Sequence, residues 1–159
     1  MNSFRIVPLS AEYASRIRAT LKDDFGHPVI EQTATGYGPC RVSLKPFILQ
    51  EDKRLLLSYS PFVVDNAFNQ SGPVFIHKKE VAPYSDVHRF PPEIKADKLN
   101  FPLTLIGYNK DQMMVHTQLV GDADVDELIV EIFDANPSIQ YLHARNAEAA
   151  CYICTIERT

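Results

Sequence analysis

Between His143 and Cys154 the chain reads HARNAEAACYIC, so a histidine, an arginine and two thiols fall within twelve residues. Written as a strand, YLHAR puts Tyr141, His143 and Arg145 on one face and Leu142 and Ala144 on the other, because side chains alternate along extended backbone. A cysteine beside that imidazole and guanidinium is a candidate nucleophile, since neighbouring positive charge favours the thiolate. Whether Cys151 reaches His143 depends on the parity of one loop. An even loop centred on Ala147 and Glu148 pairs His143 with Tyr152 and sends Cys151 to the apolar face with Leu142. A bulge that makes the loop odd brings Cys151 beside His143 instead. In the first case the thiol is a small packing group, in the second a catalyst. The CYIC spacing reads as neither a redox pair nor a zinc site. Residues i and i+3 of a strand face opposite ways, a redox CxxC opens a helix, and zinc would need a second pair.

Three further residues extend this set. In SGPVFIHKK, His77 alternates with Phe75 and Lys79 and lies opposite Val74 and Ile76, which suits either a pocket wall or a solvated sheet face. In GPCRVSL, Cys40, Val42 and Leu44 form an apolar face that leaves Arg41 with Ser43 opposite; an anionic ligand and a structural ion pair account for Arg41 equally well. Tyr59 ends a leucine-rich strand and offers a hydroxyl. The catalytic reading gives Arg41 and Arg145 to a small anion, proton exchange to His77 or His143, nucleophilic attack to Cys151, and ligand orientation to Tyr59. His27, His88 and His116 show no metal-ligand spacing, and no cofactor is legible in the sequence.

The elements that must position these residues follow from periodicity. Apolar residues at helical spacing occur twice. Ser10 caps a helix expected to run from about 11 to Phe25, with Tyr13, Ile17 and Leu21 as its stripe and Gly26 as its stop. Asp124 caps a second over Val125 to Ala135, with Glu127 three residues on, and Asn136 and Pro137 end it. Elsewhere the period is two. Strands are expected at Phe4 to Val7, CRVSL (Cys40 to Leu44), RLLLSYS, PVFIHKK, LTLIGY, QMMVHTQLV, YLHAR and ACYICTIER, with Met113, Met114 and Val115 as strand core. The expectation is an α+β single domain over residues 1–159. Two main helices cover a mainly antiparallel sheet of six or seven strands, strongly curved or barrel-like.

Composition limits the function classes. Net charge is -4 and the basic residues are scattered, which argues against a nucleic-acid surface. No apolar run approaches a membrane span and the first residues lack a signal peptide's pattern, so the expected address is the cytoplasm, without a membrane partner. Three cysteines, an odd number, fit free thiols in a reducing compartment.

The order of GPCRVSL, LLLSY, SGPVFIH, a tyrosine-containing hairpin and LHARN followed by a cysteine and IER resembles the bacterial family known as domain of unknown function 1203. The likeness runs over residues 4 to 158 and rests on Pro39, Cys40, Arg41, Tyr59, Gly72, Pro73, Phe75, Tyr108, His143, Arg145, Asn146 and Cys151. That family has no assigned activity, so the resemblance implies no catalytic role; it draws attention to Arg41, His143, Arg145 and Cys151, and raises a Cys40–Cys151 bridge as the rival to free thiols. Ala150 stands where the family often has Gly, and Ile106 where an Arg is frequent. Two functions of different class remain. One is a binding or enzymatic pocket for a small anion; the other is a noncatalytic interaction or structural module, a homodimer, with the arginines in ion pairs and the aromatics at an interface. The first requires the polar residues to line one concavity, and the second lets them scatter.

Overall fold

The computed structural model describes residues 4–159. In chain order its elements are β1 (Phe4–Val7), α1 (Ala11–Thr20), β2 (Ile30–Thr33), β3 (Lys53–Tyr59), β4 (Gly72–His77), a one-turn α2 (Pro92–Lys95), β5 (Leu103–Tyr108), β6 (Met114–Leu119), α3 (Val125–Ala135), β7 (Tyr141–Asn146) and β8 (Tyr152–Arg158). Every strand pair is antiparallel. In place of one sheet of six or seven strands there are two, a five-stranded sheet in the order β1-β8-β7-β5-β6 and a three-stranded sheet β2-β3-β4.

Each sheet has its own core. Val125, Ile129, Ile132 and Phe133 of α3 bury against the larger sheet with Leu105, Leu142, Ile153 and Ile156. Asp124 caps that helix as its sequence predicts, accepting the Glu127 amide at 3.1 Å. Ala14 and Ile17 of α1 bury against Leu55, Leu57, Val74 and Ile76 of the smaller sheet, together with Cys40, Val42, Phe47 and Tyr152. Tyr152 is thus the residue by which β8 enters the second core.

Three expectations need correction. First, α1 stops at Thr20, not near Phe25. Leu21 takes a left-handed φ of 52° and is 52% exposed, and the carboxylate of Asp23 accepts the amides of Phe25 and His27, so side-chain bonds replace the next helical turn. Second, Cys40 to Leu44 is a turn and joins neither sheet. The Leu44 amide donates to Cys40 O at 2.8 Å, the Cys40 amide to Lys45 O at 3.0 Å, and Leu44 has φ 55°. Gly38 supports the turn's entry: its φ is +86°, and a Cβ there would lie 2.6 Å from the Phe47 ring. Cys40, Val42 and Leu44 are buried as expected, but Arg41 and Ser43 are buried too. Third, Met113, Met114 and Val115 are exposed rather than core. Among the described residues β6 pairs only with β5, and as an edge strand it shows both its faces to solvent.

The β7–β8 register settles the loop question. Tyr141 to Ala144 pair with Glu157 to Cys154, but Arg145 pairs with Tyr152, which leaves Ile153 as the extra residue of a bulge. The bulge keeps both Ile153 and Cys154 in the first core and turns Tyr152 onto the face of His143 and Arg145. His143 itself lies opposite Thr155. Ala150, where the resemblance expects Gly, takes φ 65°.

Candidate functional site

His143 occupies an aromatic cage. The rings of Phe62, Tyr108, Tyr141 and Tyr152 stand with centroids 4.9, 4.8, 5.3 and 5.2 Å from its own. The residue is fully buried, and neither ring nitrogen has a hydrogen-bond partner. Burial, reinforced by the Arg145 charge, holds its pKa down at about 3, so at neutral pH it is an uncharged ring. The ring that the bulge brings against His143 belongs to Tyr152.

Cys151 lies in a cleft of about 130 Å³ with Tyr59, Ser71, Gly72, Arg145 and Tyr152. β3 supplies Tyr59, whose ring meets Tyr13 at 5.3 Å and Tyr152 at 5.6 Å. Its hydroxyl is held above the ordinary tyrosine pKa by burial and by Asp24, so it stays protonated and can donate. β7 supplies Arg145, half-buried, whose Nη1 donates to Ala150 O at 3.1 Å and whose guanidinium lies 5.9 Å from the Tyr152 ring centroid.

Arg41 lies beneath this cleft and does not line it. It is 3% exposed; Nε donates to Tyr152 O at 2.7 Å and Nη1 donates to Pro39 O. Among the described residues it forms no salt bridge. Burial lowers its pKa to about 10, opposed by the thiols of Cys151, Cys40 and Cys154 around it. A buried cation without a carboxylate is costly, so positive potential is built into the floor of the cleft.

His77 belongs elsewhere. It ends β4 on the other side of the Cys40–Leu44 turn, is 7% exposed, and sets Nε2 3.4 Å from Asp52 Oδ2, with the Phe47 ring 4.7 Å away. The neighbour with the largest effect on its protonation is the Cys40 thiol, which raises its pKa. All three cysteines are free thiols.

The structure therefore brings Tyr59, Arg145 and Cys151 into one cleft, with Arg41 below it and His143 behind the shared Tyr152 ring. It places His77 apart, with Cys40 and Asp52. Tyr152 and Asp52 were not singled out from the sequence. Tyr152 follows from the bulge; Asp52 sits in a polar loop, QED, that carries no pattern of its own. The described residues contain no group of three or more His, Cys, Asp or Glu placed to hold a metal ion. They also contain no helix long and apolar enough to cross a membrane.

The turn with Cys40 and Arg41, the β4 start at Gly72 and the HARN strand all fall inside residues 37–158, which match the model of a family described as protein of unknown function (DUF1203). The chain belongs to this family. No characterised protein and no solved structure matches it. Membership in DUF1203 leaves the activity to be argued from the site itself.

Proposed function

We propose that this DUF1203 protein binds a small anionic molecule in the cleft between β3–β4 and the β7–β8 hairpin. Arg145 supplies the direct charge-assisted hydrogen bonds, the protonated Tyr59 hydroxyl orients the ligand, and Arg41 contributes positive potential from below. Cys151 lies at the same cleft and is the thiol a bound electrophile would meet. His143, neutral and caged, acts as a wall and not as a proton carrier. The observation that supports this most is the burial of Arg41 without a salt bridge to any described residue, under a cleft that also holds Arg145. Thermal shift of the wild type against phosphates, sulfate and small carboxylates tests it. A binding anion raises the melting temperature, and Arg145→Ala weakens that anion about ten- to a hundredfold, from loss of roughly 1.5–3 kcal/mol of charge-assisted bonding. No stabilisation at millimolar anion, or an unchanged response in Arg145→Ala, refutes the proposal.

A second reading, a homodimeric interaction module, is favoured by β6. Met114, Val115 and Leu119 of this edge strand are 39%, 45% and 68% exposed, and pairing of two β6 edges would cover them. Sedimentation of the wild type beside Val115→Lys distinguishes the readings: a dimer that the lysine dissociates supports the module, and a monomer at high concentration removes it.

A further inference from the structure

We propose that Cys40, His77 and Asp52 form a second chemical site, separate from the anion cleft, in which the Cys40 sulfur is oxidised by a small peroxide.

Folding Cys40 to Leu44 as a turn instead of a strand, closed by the Leu44 amide on Cys40 O and the Cys40 amide on Lys45 O, brings Val42 and Ser43 back beside the Cys40 sulfur, where they favour the thiolate. His77 adds an imidazole on β4 whose pKa is raised by the Cys40 thiol and by Asp52. Its Nε2 is held by Asp52 Oδ2 at 3.4 Å, while Nδ1 is buried and makes no hydrogen bond of ordinary geometry, leaving it for a partner in the site. Asp52 is itself fixed, since its Oδ2 accepts the Ile48 amide at 2.6 Å. Nucleophile, imidazole and carboxylate thus follow one another in the order that activates a thiol. The balance of forces agrees: burial alone would push the Cys40 thiol up, yet His77 and the Ser43 and Val42 donors bring it down to about 7. Cys154, equally buried but without such donors, is pushed up to about 12 by burial.

Access selects the reagent. Cys40 is fully buried, but Ser43, Asp52 and His77 line a cavity of about 400 Å³ whose rim carries Lys45 and Lys79. The sulfur has no exposed surface and does not line this cavity, so the oxidant is one near the size of water that enters as Ser43 and His77 shift, and a peptide or a bulky thioester is excluded. In the step, the thiolate attacks one peroxide oxygen. An S–O bond forms, the O–O bond breaks, and the departing hydroxide takes a proton from the His77 imidazolium, giving water, neutral His77 and a Cys40 sulfenic acid. Sulfur loses two electrons and the peroxide gains them. Asp52 is a positioning residue that holds the imidazolium. The charged groups around the reacting pair are Asp52, Arg41 behind Cys40, Lys79 beside Asp52, and Arg18 of α1, whose Nε donates to His77 O at 3.3 Å.

The test exposes the full-length protein briefly to hydrogen peroxide at a series of pH values and stops the reaction with catalase. Unfolding in dimedone and iodoacetamide then allows sulfenic acid and free thiol to be quantified at each cysteine by peptide mass spectrometry. Cys40 should form sulfenic acid at least tenfold faster than Cys151 or Cys154, with a rate that climbs as pH rises through about 7. His77→Gln should slow it about tenfold or more, and Asp52→Asn should move the pH midpoint upward. If the more exposed Cys151 is oxidised first in the wild type, or if folded His77→Gln leaves the Cys40 rate unchanged, the site is refuted. Neither result touches the anion cleft, whose test is ligand binding.

Discussion

The cage around His143 makes acid stability a direct measure of its burial. In the unfolded chain a histidine takes up a proton near pH 6.5, whereas in the fold burial and the Arg145 charge delay protonation to about 3. Between these values the unfolded state binds the extra proton, so stability falls as pH drops below 6.5 and the fall ends only when the folded ring protonates. At pH 5 the folded ring is still neutral, and the loss is set almost wholly by the unfolded histidine. It comes to about 2 kcal/mol relative to pH 7.5, or roughly 4–8 °C in melting temperature for a chain of this length. His143→Phe keeps a flat ring among Phe62, Tyr108, Tyr141 and Tyr152 and removes two unpartnered nitrogens. The assay is urea unfolding of both proteins at pH 7.5 and pH 5. His77, whose pKa is raised, contributes with the opposite sign: its stabilisation is complete below pH 6.5 and is lost as pH rises through its folded pKa. Taking the difference between wild type and variant cancels it. The variant should lose about 2 kcal/mol less than the wild type over this interval. Parallel losses would refute the reasoning, because they would mean that the caged ring takes up its proton without cost.

Three further substitutions probe local geometry. Asp23 accepts the amides of Ser58, Phe25 and His27 at 3.0, 2.9 and 3.0 Å, so Asp23→Ala should destabilise by roughly 2–3 kcal/mol in chemical denaturation. Burial of Asp23 is outweighed by those amides and its pKa is depressed, so the wild type loses this contribution only as pH falls through the folded value, below the ordinary aspartate range. Gly38→Ala adds a Cβ 2.6 Å from the Phe47 ring at φ +86° and should cost about 2–4 kcal/mol; Gly121→Ala, at φ +55° with open space around it, should cost about 1 kcal/mol, as unfolding midpoints will show.

The helices and hairpins were legible where one physical signal dominated. α3 combines a cap, an amphipathic stripe and a stop, and its bounds match their expectation. Strands β4 and β5, and β3 apart from Arg54, largely show the alternation that one buried face imposes, whereas β7 and β8 are buried on both faces where His143 and Tyr152 lie. The same alternation misled at Cys40 to Leu44. The three apolar residues do turn inward there, but a turn produces that pattern as well as a strand does, and the burial of Arg41 leaves no mark in the residues around it. β6 failed for the opposite reason: its apolar residues describe a strand well enough, yet nothing local records that the strand stands at an edge. Part of the Tyr59–Arg145–Cys151 cleft could be anticipated because Arg145 lies on a polar face and Tyr59 ends its strand with a hydroxyl. The Cys40–His77–Asp52 cluster could not, since it depends on the β3–β4 register that pairs Arg54 with His77 and so brings residue 52 alongside.

Arg41 ties the two sheets together beside the Tyr152 contact. Its amide bonds Phe75 O in β4, its carbonyl accepts the Leu9 amide at the approach to α1, and its guanidinium reaches Tyr152 O in β8, so one residue adds hydrogen bonds to three stretches of chain that also meet in the second core. Neither sheet can open far without pulling on this link, and a loosened turn would expose a buried cation at the same moment. The two cores should therefore melt together in one cooperative transition. A ligand seated above Arg41 would then slow the exchange of amide protons in both sheets, including those far from the cleft that holds it.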